Sequence, residues 1–178
     1  AFDILHWFFG DVKNVSAQIS TSIAKRPKAN RMLDVTSEDI CLANMEIENY
    51  FGASFPCQVS LSSVSRNGSG FNLEIYGSEG SLFLKSDNQK DYVHGFRLLY
   101  SDKENNLSNI NPKDEFNFKK TWADGRIAPV KAIHSLWAES IINETPVVPG
   151  LSEGLLSQKV SEAIKQSASS GFRTQMRQ

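Results

Sequence analysis

Short alternating runs, each cut off by a glycine-bearing turn, fill the first hundred residues and constrain the fold more than any other feature. From Val15 to Ile23, Val15, Ala17, Ile19, Thr21 and Ile23 alternate with Ser16, Gln18, Ser20 and Ser22. A period of two puts the two sets on opposite faces of a strand, so one face is buried and the other wet. Ile40 to Ile47 repeats the pattern less cleanly with Ile40, Leu42, Met45 and Ile47. A turn through Asn49 to Gly52 then leads into Phe55 to Val64, which predicts a hairpin. Arg66-Asn67-Gly68-Ser69-Gly70 supplies residues that accept positive φ, and Phe71 to Tyr76 follows as a strand. Gly77-Ser78-Glu79-Gly80 reverses the chain again into Ser81 to Leu84. Gly95 to Tyr100 and Glu115 to Phe118 read as further strands, with Ser101 to Lys113 as a mobile polar loop between them.

Helical periodicity is confined to the two ends of the chain. Phe2 to Phe9 is apolar nearly all round and stops at Gly10, which predicts a short buried helix. From Pro129 to Asn143, Val130, Ile133, Leu136, Trp137 and Ile141 recur at three- and four-residue spacing, and Trp137 is expected in the core. After the proline-bearing break at Thr145 to Gly150, Leu155, Leu156, Val160, Ala163, Ile164 and Ala168 line another helix that ends at Gly171. Phe172 to Met176 could add a last short strand. Lys25, Arg26, Lys28 and Arg31 gather around Pro27, which predicts a basic loop that is either a solvated charged face or a hold for an anionic substrate group.

These elements predict an α+β fold: a predominantly antiparallel open sheet with two or three helices packed on one face, formed by residues 1–178 as a single domain. The other sheet face then stands bare, and it is either polar and solvated or paired with a second copy. The apolar residues of Ile40 to Ile47 and Phe55 to Val64 favour a homodimer through that face.

Composition removes several function classes. Of 178 residues 40% are hydrophobic, enough for a core without disulfides or metal. With 19 basic against 20 acidic residues the net charge is −1, so nucleic acid has no general electrostatic hold on the chain. Apolar runs such as Ile4 to Phe9 fall well short of the roughly 20 residues of a bilayer span, so no membrane is expected as a partner. Cys41 and Cys57 read as small buried thiols, reduced in a cytoplasmic setting, and with His6, His94 and His134 scattered no metal site is expected. His6, beside Trp7 in an apolar helix, reads as a satisfied structural histidine. Gly68-Ser69-Gly70 is followed by Leu73 where a dinucleotide turn needs a third glycine, and no Gly-x-Ser-x-Gly elbow exists.

Three segments in order resemble the C-terminal domain of the Gfo/Idh/MocA family of NAD(P)-dependent oxidoreductases. Phe2-Asp3-Ile4-Leu5-His6-Trp7-Phe8-Phe9-Gly10-Asp11-Val12 is similar to the family's helix running from a His-x-x-Asp motif through a tryptophan to a glycine. Ile75-Tyr76-Gly77-Ser78-Glu79-Gly80-Ser81-Leu82 resembles its Gly-Thr-Glu-Gly hairpin, and Pro149 to Gly171 its closing helix. The resemblance implies a separate N-terminal Rossmann domain holding NAD(P) and usually a catalytic lysine, neither of which is in this sequence. The family's catalytic histidine would fall immediately before Ala1, so no catalytic residue is assigned within the chain. Asp3 matches the later aspartate of that motif and implies a role in orienting the helix or the site. Asp3, Arg26 and Arg31 are the substrate-site candidates. The chain opens abruptly at Ala1, which reads as part of a longer protein. The whole protein would act on a secondary alcohol or ketone of a sugar, cyclitol or sugar derivative, with this part supplying substrate-facing surface and subunit contact but no activity alone. The other reading is a non-enzymatic binding or dimerisation module on the same fold.

Overall fold

The computed structural model describes residues 2–68, 70–86, 96–104, 106–111, 123–125 and 127–176. They contain α1 (Phe2–Phe9), β1 (Asp11–Ser20), β2 (Lys25–Lys28), β3 (Arg31–Asp34), β4 (Ile40–Glu48), β5 (Ser54–Ser62), β6 (Phe71–Gly77), β7 (Gly80–Ser86), β8 (Arg97–Asp102), β9 (Leu107–Ile110), α2 (Ile127–Asn143), α3 (Leu151–Ser170) and β10 (Thr174–Gln175). Every strand pair is antiparallel. The α+β reading holds, but the strands divide into a four-stranded sheet β10-β1-β4-β5, a two-stranded ribbon β2-β3 and a four-stranded sheet β6-β7-β8-β9. The chain falls into two compact units, one of residues 1–66 and 148–178 and the other of residues 67–147.

In the first unit, alternation decides which side of the sheet is dry. Val15 on β1 and Ala43, Met45 and Ile47 on β4 are buried against Val160, Ala163 and Ile164 of α3, with Leu5 of α1 completing the core. Phe55, Cys57 and Val59 of β5 turn to the same side, and the Phe9 ring meets Phe55 edge-on at 6.1 Å. The opposite side of β5 carries Ser54, Pro56, Gln58, Ser60 and Ser62. The apolar residues that suggested a bare pairing face therefore point mostly toward the helices, and the outer face is largely polar, with Leu42 its exposed apolar exception.

Beyond this core packing, Ser167 and Gly10 shape the junctions of the helices with the sheet. β10 is only two residues long, so the outward amide of Ala17 lies beyond its reach. The Ser167 hydroxyl accepts that amide at 3.0 Å and donates to the Phe172 carbonyl at 2.8 Å. Gly10, where α1 breaks into β1, has φ +109°, and a Cβ there would sit 2.3 Å from the Glu48 carbonyl oxygen, so only glycine fits. Gly171 ends α3 in the left-handed region, its amide bonded to the Ser167 carbonyl, as the sequence predicts.

Two segments read as loops are strands instead. Residues 25–31 do not form a basic loop: β2 and β3 pair through Lys25↔Asp34, Arg26↔Leu33, Pro27↔Met32 and Lys28↔Arg31. Pro27 is tolerated because a two-stranded ribbon has two open edges, where a missing amide costs no ladder bond. Residues 101–113 do not form one mobile loop either, since β8 runs to Asp102 and β9 occupies Leu107–Ile110. The Asp102 carboxylate closes that turn, accepting the Glu104 and Asn106 amides at 2.9 Å each.

In the second unit Leu73, Leu84, Leu98 and Ile110 stand directly opposite one another across β6 to β9 and form one apolar row. Helix α2 forms where its periodicity predicts, but it carries no buried residue, and Trp137 is 54% exposed instead of lying in the core. Periodicity reports a helical stripe and not what covers it. The strand expected at Glu115 to Phe118 lies outside the described residues.

Candidate functional site

Three parts of the first unit carry polar chemistry. The first is the junction of α1 and β1. Asp3 lies exposed in the first turn of α1, where a carboxylate complements the helix dipole. His6, one turn on, is buried, yet neither ring nitrogen has a hydrogen-bond partner among the described residues, which corrects the reading of a satisfied histidine. Its Nδ1 is 3.5 Å from Asp11 Oδ1. Its backbone carbonyl accepts the Tyr50 hydroxyl at 2.5 Å, tying α1 to the β4–β5 turn.

The second is the ribbon. Arg26 and Arg31 are both exposed on it, and neither makes an ion pair among the described residues. Asp39 fastens the ribbon's base. Its carboxylate oxygens accept the Ser22 amide at 2.7 Å and the Ile23 amide at 3.0 Å, and its backbone closes onto Ser20 and Ser63. The Ser22 amide above all holds this carboxyl below the usual range, with a smaller contribution from the Arg26 charge. Among the described residues no hydrogen bond or ion pair joins Asp3 to Arg26 or Arg31. The structure thus places Asp3 on α1 and the two arginines on the paired strands β2 and β3.

The third, which sequence reasoning missed, lies on the outer sheet face. Asn14 Nδ2 donates to Glu46 Oε2 at 2.8 Å, Arg173 Nε donates to Asn14 Oδ1 at 2.5 Å, and the Arg173 guanidinium also pairs with Glu46. The Asn14 amide first, and the Arg173 charge after it, keep the Glu46 carboxyl below its ordinary range. Beside them is a hollow of about 400 Å³ that also includes Ser16, Asn44, Ser54 and Pro56. Arg173 is 127 residues from Glu46, and no local pattern announces the trio.

Cys41 and Cys57 are free and partly buried on neighbouring strands, and burial pushes both thiols up. His134 is exposed on α2, and His94 lies outside the described residues. Among the described residues no group of three metal-ligating side chains occurs. No described helix is long and apolar enough to cross a membrane.

A profile for the C-terminal alpha/beta domain of an oxidoreductase family, Gfo/Idh/MocA, matches residues 1–176. The chain belongs to that family. A relative, the uncharacterised oxidoreductase sll0816 of a Synechocystis strain, is 40% identical over 168 residues, which is 93% of this chain and 44% of that protein. The structure of an NAD binding oxidoreductase from Klebsiella pneumoniae superposes with a TM-score of 0.70 at 19% identity, covering 99% of this chain and 48% of that one. The transcriptional regulator Gal80p of Kluyveromyces lactis shares the fold at a TM-score of 0.63 and 13% identity, over 98% of this chain and 45% of its own. This chain spans less than half the length of each.

Two places among the described residues lack the form of a phosphate cradle. Gly77 to Gly80 joins two strands of a hairpin and opens no helix. At the start of α3 the Gly150 amide is already bonded to the Glu153 carboxylate at 2.6 Å, which leaves an anionic side chain where a pyrophosphate would need free donors.

Proposed function

We propose that this chain is the C-terminal domain of an NAD(P)-dependent oxidoreductase acting on a secondary alcohol or ketone of a sugar, cyclitol or sugar derivative. The family match through residues 1–176, with 40% identity to a protein named as an oxidoreductase, is the observation that carries this reading. The nicotinamide supplies the hydride chemistry from a Rossmann domain outside this chain. This chain's residues bind and orient: Asp3 sets the start of α1, Arg26 and Arg31 serve the substrate side, and the outer sheet face with Glu46 and Arg173 makes the contact of a cytoplasmic homodimer. The chain alone is inactive.

A second reading, a binding module without activity, draws on the Gal80p likeness, since fold alone does not set function. The two separate in one experiment. The protein carrying the preceding region is titrated calorimetrically with NADH and NADPH and assayed for hydride transfer with a panel of polyols and keto sugars, with residues 1–178 as the control. Cofactor binding and turnover by the longer protein, with neither in residues 1–178, is the expected result. Cofactor binding without turnover on any substrate favours the module, and absence of cofactor binding overturns the oxidoreductase reading.

A further inference from the structure

The register of the β2–β3 ribbon sorts its charges by face. Residues directly opposite in an antiparallel pair share a face, and successive residues alternate. Lys25, Asp34, Pro27 and Met32 therefore share one side, and Arg26, Leu33, Lys28 and Arg31 the other. The ribbon's one carboxylate, Asp34, is on the first side and is already paired with Lys25 at 3.7 Å. The second side holds three cations and no acid.

This arrangement is costly if it is empty. Lys28 and Arg31 stand directly opposite each other, and like charges at such a pair destabilise a ribbon that is marginal on its own. The Arg26 charge is felt at Asp39, whose oxygens are engaged by the Ser22 and Ile23 amides. The base of the ribbon is nonetheless held firmly, by Asp39 and by the Val35 amide on the Ala24 carbonyl at 2.8 Å. The backbone register places three cations on one exposed face, two of them guanidiniums whose planar forks match the oxygens of a phosphate.

We propose that the Arg26, Lys28 and Arg31 face of this ribbon binds a phosphate monoester on a small molecule. Against three cations a dianion leaves one positive charge uncompensated, whereas a single carboxylate would leave two. A polyanion is disfavoured because the chain as a whole carries −1, so surfaces beyond the ribbon do not attract one. The proposal deepens the oxidoreductase reading by naming a phosphorylated substrate class. It is tested by binding alone, so its failure and the failure of that reading are separate results.

The test follows ¹H–¹⁵N amide shifts of the 178-residue chain at constant ionic strength during titration with inorganic phosphate, glucose 6-phosphate, glucose and a short DNA duplex. Saturable shifts confined to residues 25–34 are expected with both phosphates and not with glucose. Tighter binding of glucose 6-phosphate assigns a phosphorylated sugar, and equal binding assigns the phosphate group; both support the site. Arg26→Gln and Arg31→Gln should each weaken binding about 3- to 5-fold, as for exposed charge pairs, while Lys25→Gln on the opposite face should change it less than about 2-fold. Unchanged amide shifts outside the ribbon verify that each variant folds. Equal weakening by Lys25→Gln, a lack of saturable shifts with either phosphate, or tighter binding of the duplex through the same residues would each overturn the proposal.

Discussion

Asn14 and Glu46 face each other across β1 and β4, joined by a 2.8 Å hydrogen bond, on the side of the sheet away from α3. The bond matters because Arg173, arriving from the far end of the chain, fastens onto both partners. The outer face thus carries an ionised carboxylate set among hydrogen-bond donors. Its pH dependence has a definite sign.

Glu46 is lower in pKa when folded than when unfolded, because of the Asn14 amide and then the Arg173 charge. Such a group adds stability above its unfolded value and loses it as pH falls through the lower folded value. The melting temperature of Glu46→Gln should therefore lie below wild type at about pH 6, and the gap should narrow on acidification toward about pH 3. Thermal melts across that range check it, and a constant gap would refute it.

Ile47 is fully buried on β4 while Gln58 is exposed on the outer side of β5. Ile47→Ala should cost about 2–5 kcal/mol, and Gln58→Ala should stay within about 0.5 kcal/mol. Urea unfolding of the two variants measures both. Similar values would mean the dry face has been assigned to the wrong side.

Gly80 adopts φ +153°, and a Cβ there would fall 2.2 Å from the Ser101 carbonyl oxygen. Gly80→Ala should destabilise the β6–β9 sheet by more than about 1 kcal/mol, since both the conformation and the space exclude a side chain. Faster amide exchange in β7 and β8 is the expected signature, and wild-type protection would count against it.

For association, Ser60 lies on the outer face and Val59 on the helix side. If the outer face pairs two chains, Ser60→Arg should give a folded monomer, because a charge buried without a partner costs several kcal/mol. Val59→Arg should instead damage the fold. Light scattering with a thermal melt distinguishes the two, and a wild-type chain that stays monomeric at high concentration rules out pairing.

Local pattern by itself determined the alternation of β1, β4 and β5, the turns at Asn49 to Gly52 and Gly77 to Gly80, and the span of α3 to Gly171. Each depends on residues within a few positions, where period and glycine conformation are readable. Tertiary structure alone decided that Val59 faces α3 and Ser60 faces out, because alternation names two faces without saying which is dry. The same holds for the ribbon. Pro27 reads as a breaker until pairing with Met32 places it on an open-edged strand, and only that register separates Arg26, Lys28 and Arg31 from Asp34. The Asn14, Glu46 and Arg173 trio was invisible for a simpler reason. Its members are brought together by the pairing of β10 with β1 and of β1 with β4, across sequence separations that no local periodicity spans.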